Sequence, residues 1–338
     1  MCQWRSLSAY QRLGLVTIFG LIVLVVLGGT VRVTDSGLAC PDWPLCHGKV
    51  IPAGGYHVWL EWTHRLAASV FGFVILAFVI GALRRHRDRR WVVVPALLGA
   101  VALAVQVVLG GLTVTEDLDA AIVAAHLGTA MLIVLLIVVA WLATFVPRAE
   151  GSPEQREQVA ARAGPADPSD RRMALLACLT AAGTYVLIVL GGYVSGTEAG
   201  YFCGGDWPLC NGVVLPEGRN ALIHVSHRFL AAAVALLVLA TVWMAERRSR
   251  SAPTVFRLAL AVGGLYAAQI ILGAVVMWTT LAEWSRVLHL VTGSVTWGTL
   301  VAMTAFACYD AIRSDSLHRP RPFPSVRPRR AGLGETRR

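Results

Sequence analysis

The segment CPDWPLC, residues 40–46, follows a long apolar run and returns as CGGDWPLC, residues 203–210, after a second such run. A shift of 163 residues, the interval from Gln106 to Gln269, also aligns QVVLGG with QIILGA. The same shift superimposes two His-Arg and two His-Leu pairs. A fixed period of this kind marks a duplicated unit, so we expect two homologous halves.

The composition is that of a membrane protein. Of the 338 residues, 56% are hydrophobic and 15% charged, and the mean hydropathy is positive. About 20 apolar residues span a bilayer. Eight segments meet this requirement, at roughly residues 13–31, 62–83, 91–114, 121–146, 173–194, 221–245, 255–280 and 286–309. We therefore expect membrane lipid around the protein.

The net charge of +10 would suggest nucleic acid in a soluble protein, but here the arginines cluster between spans. Clusters occur at 84–90 and 246–250, between spans 4 and 5, and from Arg313 onward. The positive-inside bias places them in the cytoplasm, so both termini are cytoplasmic and the two cysteine loops face the opposite, oxidising side. No nucleic-acid partner is expected. A secretory signal in span 1 is disfavoured, because the Cys40 motif recurs after span 5.

The predicted fold is an all-α integral membrane protein with eight transmembrane helices. Four spans in each half give both copies one orientation, related by an axis along the bilayer normal. We expect two pseudo-symmetric four-helix bundles with a linker and a tail. The divisions are 1–146 for the N-terminal bundle, 147–172 for a cytoplasmic linker, 173–310 for the C-terminal bundle and 311–338 for a basic cytoplasmic tail.

Two histidine pairs occupy matched positions near the outer side. His64 lies in the predicted opening turn of span 2 and His126 in the second turn of span 4; His227 and His289 repeat this on spans 6 and 8. Two imidazoles at one depth on two helices can ligate both faces of a heme iron. The alternatives are interfacial histidines bonded to neighbours, and zinc, which requires more ligands close by.

Charged neighbours distinguish the halves. Glu61 lies one helical turn before His64, whereas His224 occupies the matched position. A carboxylate beside a heme is a candidate general base or a group that stabilises positive charge; a glutamate facing water is the alternative. Arg65 and Arg228 follow the first histidine of each pair. They are candidates to contact heme propionates or, alternatively, to snorkel to the interface.

Taken together, these motifs resemble the heme A synthase family over essentially the whole chain. The motifs are the two DWPLC loops, Glu61-x-x-His64-Arg65, His126-Leu127, His227-Arg228 and His289-Leu290. The resemblance implies a cell-membrane oxidoreductase that converts the C8 methyl of heme O to a formyl group. The product is heme A for terminal oxidases, and water is the implied source of the formyl oxygen. Heme O synthase and terminal oxidase assembly factors are the implied protein partners.

The resemblance also divides the histidines. It implies that His227 and His289 bind a resident heme b, that His64 and His126 hold the substrate heme O, and that Glu61 assists the oxidation. Converting a methyl to an aldehyde removes electrons and protons stepwise, so a proton acceptor in one half agrees with this division.

Four of the seven cysteines form two pairs within the loops. We expect disulfides Cys40–Cys46 and Cys203–Cys210, which stiffen a lid over each bundle; a redox role for the first pair is the alternative. Cys2, Cys178 and Cys308 lack such partners.

Three rival functions remain open. A diheme electron-transfer cytochrome would not need a glutamate in one half only. A thiol-disulfide exchange protein would not need four matched histidines. A heme transporter would need a pathway through the bundle that the lidded loops do not suggest.

Overall fold

The structure is a computed structural model that describes residues 7–146 and 168–318. Eight helices in this part of the chain are long and apolar enough to cross a membrane, which confirms the predicted all-α membrane fold. They are α1 (Ala9–Val33), α2 (Tyr56–Arg85), α3 (Arg90–Thr115), α4 (Ala120–Ala143), α5 (Pro168–Gly196), α6 (Arg219–Arg247), α7 (Pro253–Trp278) and α8 (Glu283–His318). A short 3-10 helix, Glu198–Tyr201, precedes the second cysteine loop.

The outer ends of the helices extend beyond the apolar segments. Helix α2 begins at Tyr56, so His64 lies in its third turn and not in the opening turn. The apolar segment predicted from the sequence begins at about residue 62, because His57 and Glu61 lower the hydropathy before it. A helix satisfies its backbone hydrogen bonds whatever its side chains, so it continues past the apolar core of the bilayer.

Side-chain caps mark the starts of two helices, and residues with left-handed backbone conformation mark two of the turns. Ser8 and Gln11 form a capping box at the start of α1, and the Asp119 side chain accepts from two backbone N–H groups at the start of α4. The α3–α4 turn places Asp117 and Leu118 in the left-handed region. Residues 280 and 281, in the α7–α8 turn, do the same at repeat-matched positions.

Helix contacts group the helices by half. Helices α1 to α4 contact one another in sequence and close through α1 with α4; α5 to α8 repeat this with α5 and α8. The halves join through α4 with α5, α1 with α8, and α4 with α8. This arrangement agrees with two four-helix bundles, whose symmetry stays a prediction.

Two of the predicted boundaries, at 172/173 and 310/311, fall inside helices. Residues 147–167 of the predicted linker lie outside the described residues, and α5 begins at Pro168, four residues inside its predicted end. Proline suits the first turn of a helix because its φ is already helical. An ion pair between Asp170 and Arg248 ties this turn to the end of α6. Helix α8 continues to His318, into the predicted tail.

The seam between the halves is anchored by aromatic side chains of the C-terminal half. Trp297 on α8 is 1% exposed, and its Nε1 donates to the carbonyl of Met131 on α4 at 2.9 Å. Tyr185 on α5 donates its hydroxyl to the carbonyl of Gly128 on α4 at 3.0 Å. These bonds attach α4 to both neighbouring helices of the other half.

Replacement of Trp297 by alanine should destabilise the protein strongly. Loss of a large buried side chain leaves a cavity and typically costs about 3–5 kcal/mol. Trp297→Phe should cost less, because packing is largely kept and only a hydrogen bond of about 0.5–1.5 kcal/mol is lost. Chemical unfolding in detergent measures both. Phe73→Ala, at a side chain that is 73% exposed, is the control; equal losses at both sites would contradict the anchor.

Candidate functional site

The four histidines lie at corresponding places in the two halves. His64 is the ninth residue of α2 and His227 the ninth of α6, about 12 Å along each helix from its first residue. His126 is the seventh of α4 and His289 the seventh of α8, about 9 Å along. Within each half, the two histidines therefore lie at similar distances from the outer ends of their helices.

Each histidine ring packs against a glycine on a neighbouring helix. A side chain at any of these glycines would collide with the ring or press tightly on it. The pairs, with the distance from an added Cβ to the ring Cε1, are Gly28–His64 (2.8 Å), Gly110–His126 (3.2 Å), Gly191–His227 (3.0 Å) and Gly273–His289 (3.4 Å). Because the glycines are themselves repeat-matched, close approach of helix backbone to imidazole is a shared property of both halves.

The imidazoles fit a heme iron by their chemistry. The Nδ1 atom of each ring is buried without a hydrogen-bond partner. A buried polar atom left unpaired typically costs about 1–3 kcal/mol, so four such atoms at matched positions fit sites that receive an added group. Within residues 7–146 and 168–318, no group of three or more His, Cys, Asp and Glu side chains could hold a metal ion. Two nitrogen donors for each site suit heme and not tetrahedral zinc.

Two glutamines belong to the same sites and were not singled out as site residues by the sequence. The Gln106 amide on α3 lies 3.2 Å from Nε2 of His126, and its Oε1 has no partner. Gln269, at the matched position on α7, also has an unpartnered buried Oε1. Their signal in the sequence is the match between QVVLGG and QIILGA, in which both glutamines hold the first position.

Arg65 joins the histidine helix to the first cysteine loop. Its Nη1 donates to the carbonyls of Asp42 at 2.6 Å and Leu45 at 2.5 Å, and its Nη2 donates to the carbonyl of Cys40 at 2.9 Å. The same Nη2 pairs with Oε1 of Glu61 at 2.6 Å. A planar guanidinium with five donors suits several acceptors at once. The propionate contact stays a prediction; the observed role of Arg65 is to hold the loop.

Arg228 repeats this arrangement in the second half. It donates to the carbonyls of Pro208 at 3.0 Å, Leu209 at 2.5 Å and Asp206 at 2.9 Å. The residue after the first histidine therefore secures the DWPLC loop in both halves.

The position of Glu61 is where the halves diverge. Glu61 is 3% exposed, and its Oε2 accepts from the Cys40 N–H at 2.8 Å. The glutamate therefore does not face water. His224, its counterpart, is also buried, and its Nδ1 lies 2.8 Å from the carbonyl of Ala199. Among the side chains whose burial the structure describes, a buried carboxylate lies beside the histidine pair of the first half only.

The cysteine loops are closed and internally bonded. The sulfurs of Cys40 and Cys46 are 1.96 Å apart and those of Cys203 and Cys210 are 2.02 Å apart, so each pair lies at bonding distance within its own loop. In the first loop, the Gly48 N–H donates to the Asp42 carboxylate at 2.8 Å and helps to hold the Asp42 pKa below its ordinary value.

The remaining described cysteines form a thiol pair that the sequence did not predict. Cys178 and Cys308 are unbonded, but their sulfurs approach to 3.7 Å between α5 and α8. Their sequence separation of 130 residues gives no local signal for this approach. Cys2 lies outside the described residues.

Comparison with known proteins identifies the family. A profile of the cytochrome oxidase assembly protein family (COX15-CtaA) matches residues 11–57 and 55–301. The heme A synthase of Exiguobacterium sp. (strain ATCC BAA-1283 / AT1b) is 30% identical over 238 residues, 69% of this chain and 72% of that relative. The heme A synthase of Symbiobacterium thermophilum is 28% identical over 310 residues, 90% of this chain and 95% of the relative.

These matches confirm the resemblance stated from the motifs. The profile runs from the start of α1 to the middle of α8 and includes all four histidines, Glu61 and both cysteine loops. The chain therefore belongs to the cytochrome oxidase assembly protein family (COX15-CtaA).

Proposed function

We propose that this protein is a heme A synthase, an oxidoreductase that converts the C8 methyl group of heme O to the formyl group of heme A. The observation that carries the proposal is the duplicated histidine pair with the buried carboxylate of Glu61 beside the first copy, where the second has His224. Relatives named heme A synthase, matched across most of their length, support the same activity. The product would serve the assembly of terminal oxidases.

The two histidine pairs take different hemes in this proposal. His64 and His126 hold heme O as substrate, and His227 and His289 hold a resident heme b. The bound hemes supply the redox chemistry of iron. The protein positions them: glycines let the helices approach, and the arginine-held loops cover the outer ends of α2 and α6.

Glu61 is the proton-accepting or charge-stabilising group of the substrate half. Oxidation of a methyl to an aldehyde, with water supplying the oxygen, releases protons and electrons. An external electron acceptor must take the electrons, and the protons must leave the site. A carboxylate offers about four lone-pair positions, and the bonds from Cys40 and Arg65 engage one on each oxygen. The free positions can accept a proton or stabilise positive charge, while the two bonds fix the orientation of the group.

The cysteine loops lie on the extracytoplasmic side of the cell membrane in this proposal. The arginine-rich segment at 84–90 follows α2, and the segment at 246–250 follows α6, at the ends opposite the loops. The positive-inside bias then places the disulfides in the oxidising compartment, where they persist.

Heme extraction tests the function directly. Cells that make heme O but lack heme A synthase are supplied with this protein, and their hemes are separated by chromatography. Heme A should appear, with heme b retained on the purified protein. Heme b alone in every preparation would overturn the proposal and favour a diheme cytochrome.

The halves should differ in which heme they lose. Replacement of His227 or His289 by alanine should remove heme b from the purified protein, because a residue that would bind its iron is lost. Replacement of His64 or His126 should leave heme b in place and impair conversion of heme O. Absorption spectra and heme chromatography measure both effects; equal loss of heme b from all four variants would refute the division.

Glu61→Gln should stop heme A formation while heme binding continues. The amide oxygen can still accept from Cys40, but the negative charge opposite Arg65 is gone. A general base or charge-stabilising group typically contributes about 10²–10⁴-fold to the rate. The measurement is heme extraction, with holoprotein quantified by absorption.

A matched control removes a carboxylate outside the site. Glu116→Gln, at the exposed end of α3, should leave heme A formation unchanged. Near-normal heme A from Glu61→Gln would remove Glu61 from the mechanism.

A further inference from the structure

Two arginines from different halves meet at the outer ends of three helices. Arg32 lies in the last turn of α1, and Arg286 is the fourth residue of α8. Nη2 of Arg32 donates to the carbonyl of Ser195 on α5 at 3.3 Å, and Nη2 of Arg286 donates to the hydroxyl of the same serine at 3.5 Å. Nη1 of Arg286 also donates to the carbonyl of Val33 on α1 at 3.4 Å. Both guanidinium groups therefore lie where the outer ends of α1, α5 and α8 come together.

Protein groups engage these two arginines weakly. The Nε atom of Arg32 is buried without a hydrogen-bond partner, and its Nη1 lies 3.6 Å from the carboxylate of Asp35, a side chain that is 90% exposed. The bonds from Arg32 and Arg286 to protein oxygens are 3.3 to 3.5 Å long, whereas Arg65 makes four contacts of 2.5 to 2.9 Å. A guanidinium has five donors, so two neighbouring cations with long bonds can still bind an anion.

Arg32 lies outward from the histidine pair of the first half. It follows Gly28, the α1 glycine against which the His64 ring packs, by four residues. Residues four apart share a helix face, and each residue rises 1.5 Å, so Arg32 lies about 6 Å outward from that glycine on the same face. The position matched to Arg32 in the second half is Ser195, so this cation belongs to the first half alone.

Arg286 has the corresponding relation to the histidine pair of the second half. It precedes His289 on α8 by three residues, which share a helix face, and so lies about 4.5 Å outward from it. Its partner Ser195 follows Gly191, the α5 glycine that packs against the His227 ring, by four residues. Each histidine pair therefore has one arginine about one helical turn outward from it, although the two arginines are not repeat-matched.

We infer that Arg32 and Arg286 bind heme propionates, Arg32 for the heme of the first half and Arg286 for the heme of the second half. Heme O and heme b each carry two propionate side chains, and a carboxylate suits the planar fork of a guanidinium. Arg65 and Arg228, the candidates from the sequence, donate instead to the carbonyls of the cysteine loops. The inference rests on the proposed function, since it needs a heme at each histidine pair.

Esterification of the propionates isolates the contact made by Arg32. The purified protein, with heme b bound, is titrated with heme O and with the dimethyl ester of heme O, which lacks both negative charges, and binding is followed by absorption. Arg32→Gln should weaken heme O binding on the order of ten- to a hundredfold, as expected for loss of a hydrogen bond to a charged group, while ester binding changes little. Arg32→Lys keeps the charge without the fork, so it should lose less, and it gives the same test if Arg32→Gln does not fold.

Release of heme b measures the contact made by Arg286. Excess apomyoglobin captures heme b as it leaves the purified protein, and Arg286→Gln should speed this release on the order of tenfold or more while heme O affinity changes little. Each variant controls for the other, because both arginines reach Ser195 and a role in holding the helices together would alter both measurements in both variants. Arg219→Gln, at an exposed arginine that begins α6, should alter neither measurement.

The outcomes separate this inference from the proposed function. Failure of the wild-type protein to bind heme O would overturn the function. With heme O bound normally by the wild type, an unchanged affinity in Arg32→Gln, or an equal fall for heme O and its ester, would overturn the assignment of Arg32 alone. Unchanged heme b release from Arg286→Gln, or equally faster release from both variants, would overturn the assignment of Arg286. Loss of a co-purified phospholipid from the variants, with heme binding unchanged, would assign the arginines to a lipid phosphate instead.

Discussion

Burial of four imidazoles with an unpaired ring nitrogen is the constraint on which the rest of this structure depends. Low dielectric surroundings make such atoms costly, and no protein group in the described residues bonds Nδ1 of any of these rings. The surrounding helices nevertheless approach the rings closely, because each ring faces a glycine. Four unpaired buried nitrogens at repeated positions are unfavourable for the protein alone. Their presence indicates that the histidines bind a ligand, which in the proposed function is heme iron.

The arginine next to the first histidine of each pair connects the histidine helix to the outer loop by hydrogen bonds. Arg65 and Arg228 sit on the histidine helices and donate to loop carbonyls that have no helical partners of their own. Charge-assisted bonds of this kind are stronger than neutral ones, and the planar fork fixes their direction. Lysine has a single point charge and could not reproduce the arrangement. Movement of a loop and movement of a histidine helix are therefore coupled in both halves.

One difference between the halves falls at a position with a chemical consequence. Histidines, glycines, arginines and disulfides recur at matched positions, so both halves keep the capacity to hold a flat ligand between helices. Glu61 occurs in the first half, and His224 occupies the matched position of the second half. In the roles we propose, a duplicated binding unit has thus kept its scaffold and changed the group that assists oxidation of the substrate methyl.

The sequence by itself determined the eight spans, the repeat, the histidine pairs and the family, because apolar segment length and a fixed period are properties of the chain alone. Tertiary structure decided the hydrogen-bond partners of the polar side chains. Glu61 is buried and accepts a hydrogen bond from the Cys40 N–H, Arg65 donates to a loop carbonyl, and the Gln106 amide contacts His126. Tertiary structure also extended α2 outward past the apolar segment and brought Cys178 to Cys308. These outcomes depend on contacts between residues 20 or more positions apart, or on backbone bonding that continues beyond apolar residues, and neither leaves a periodic signal in the sequence.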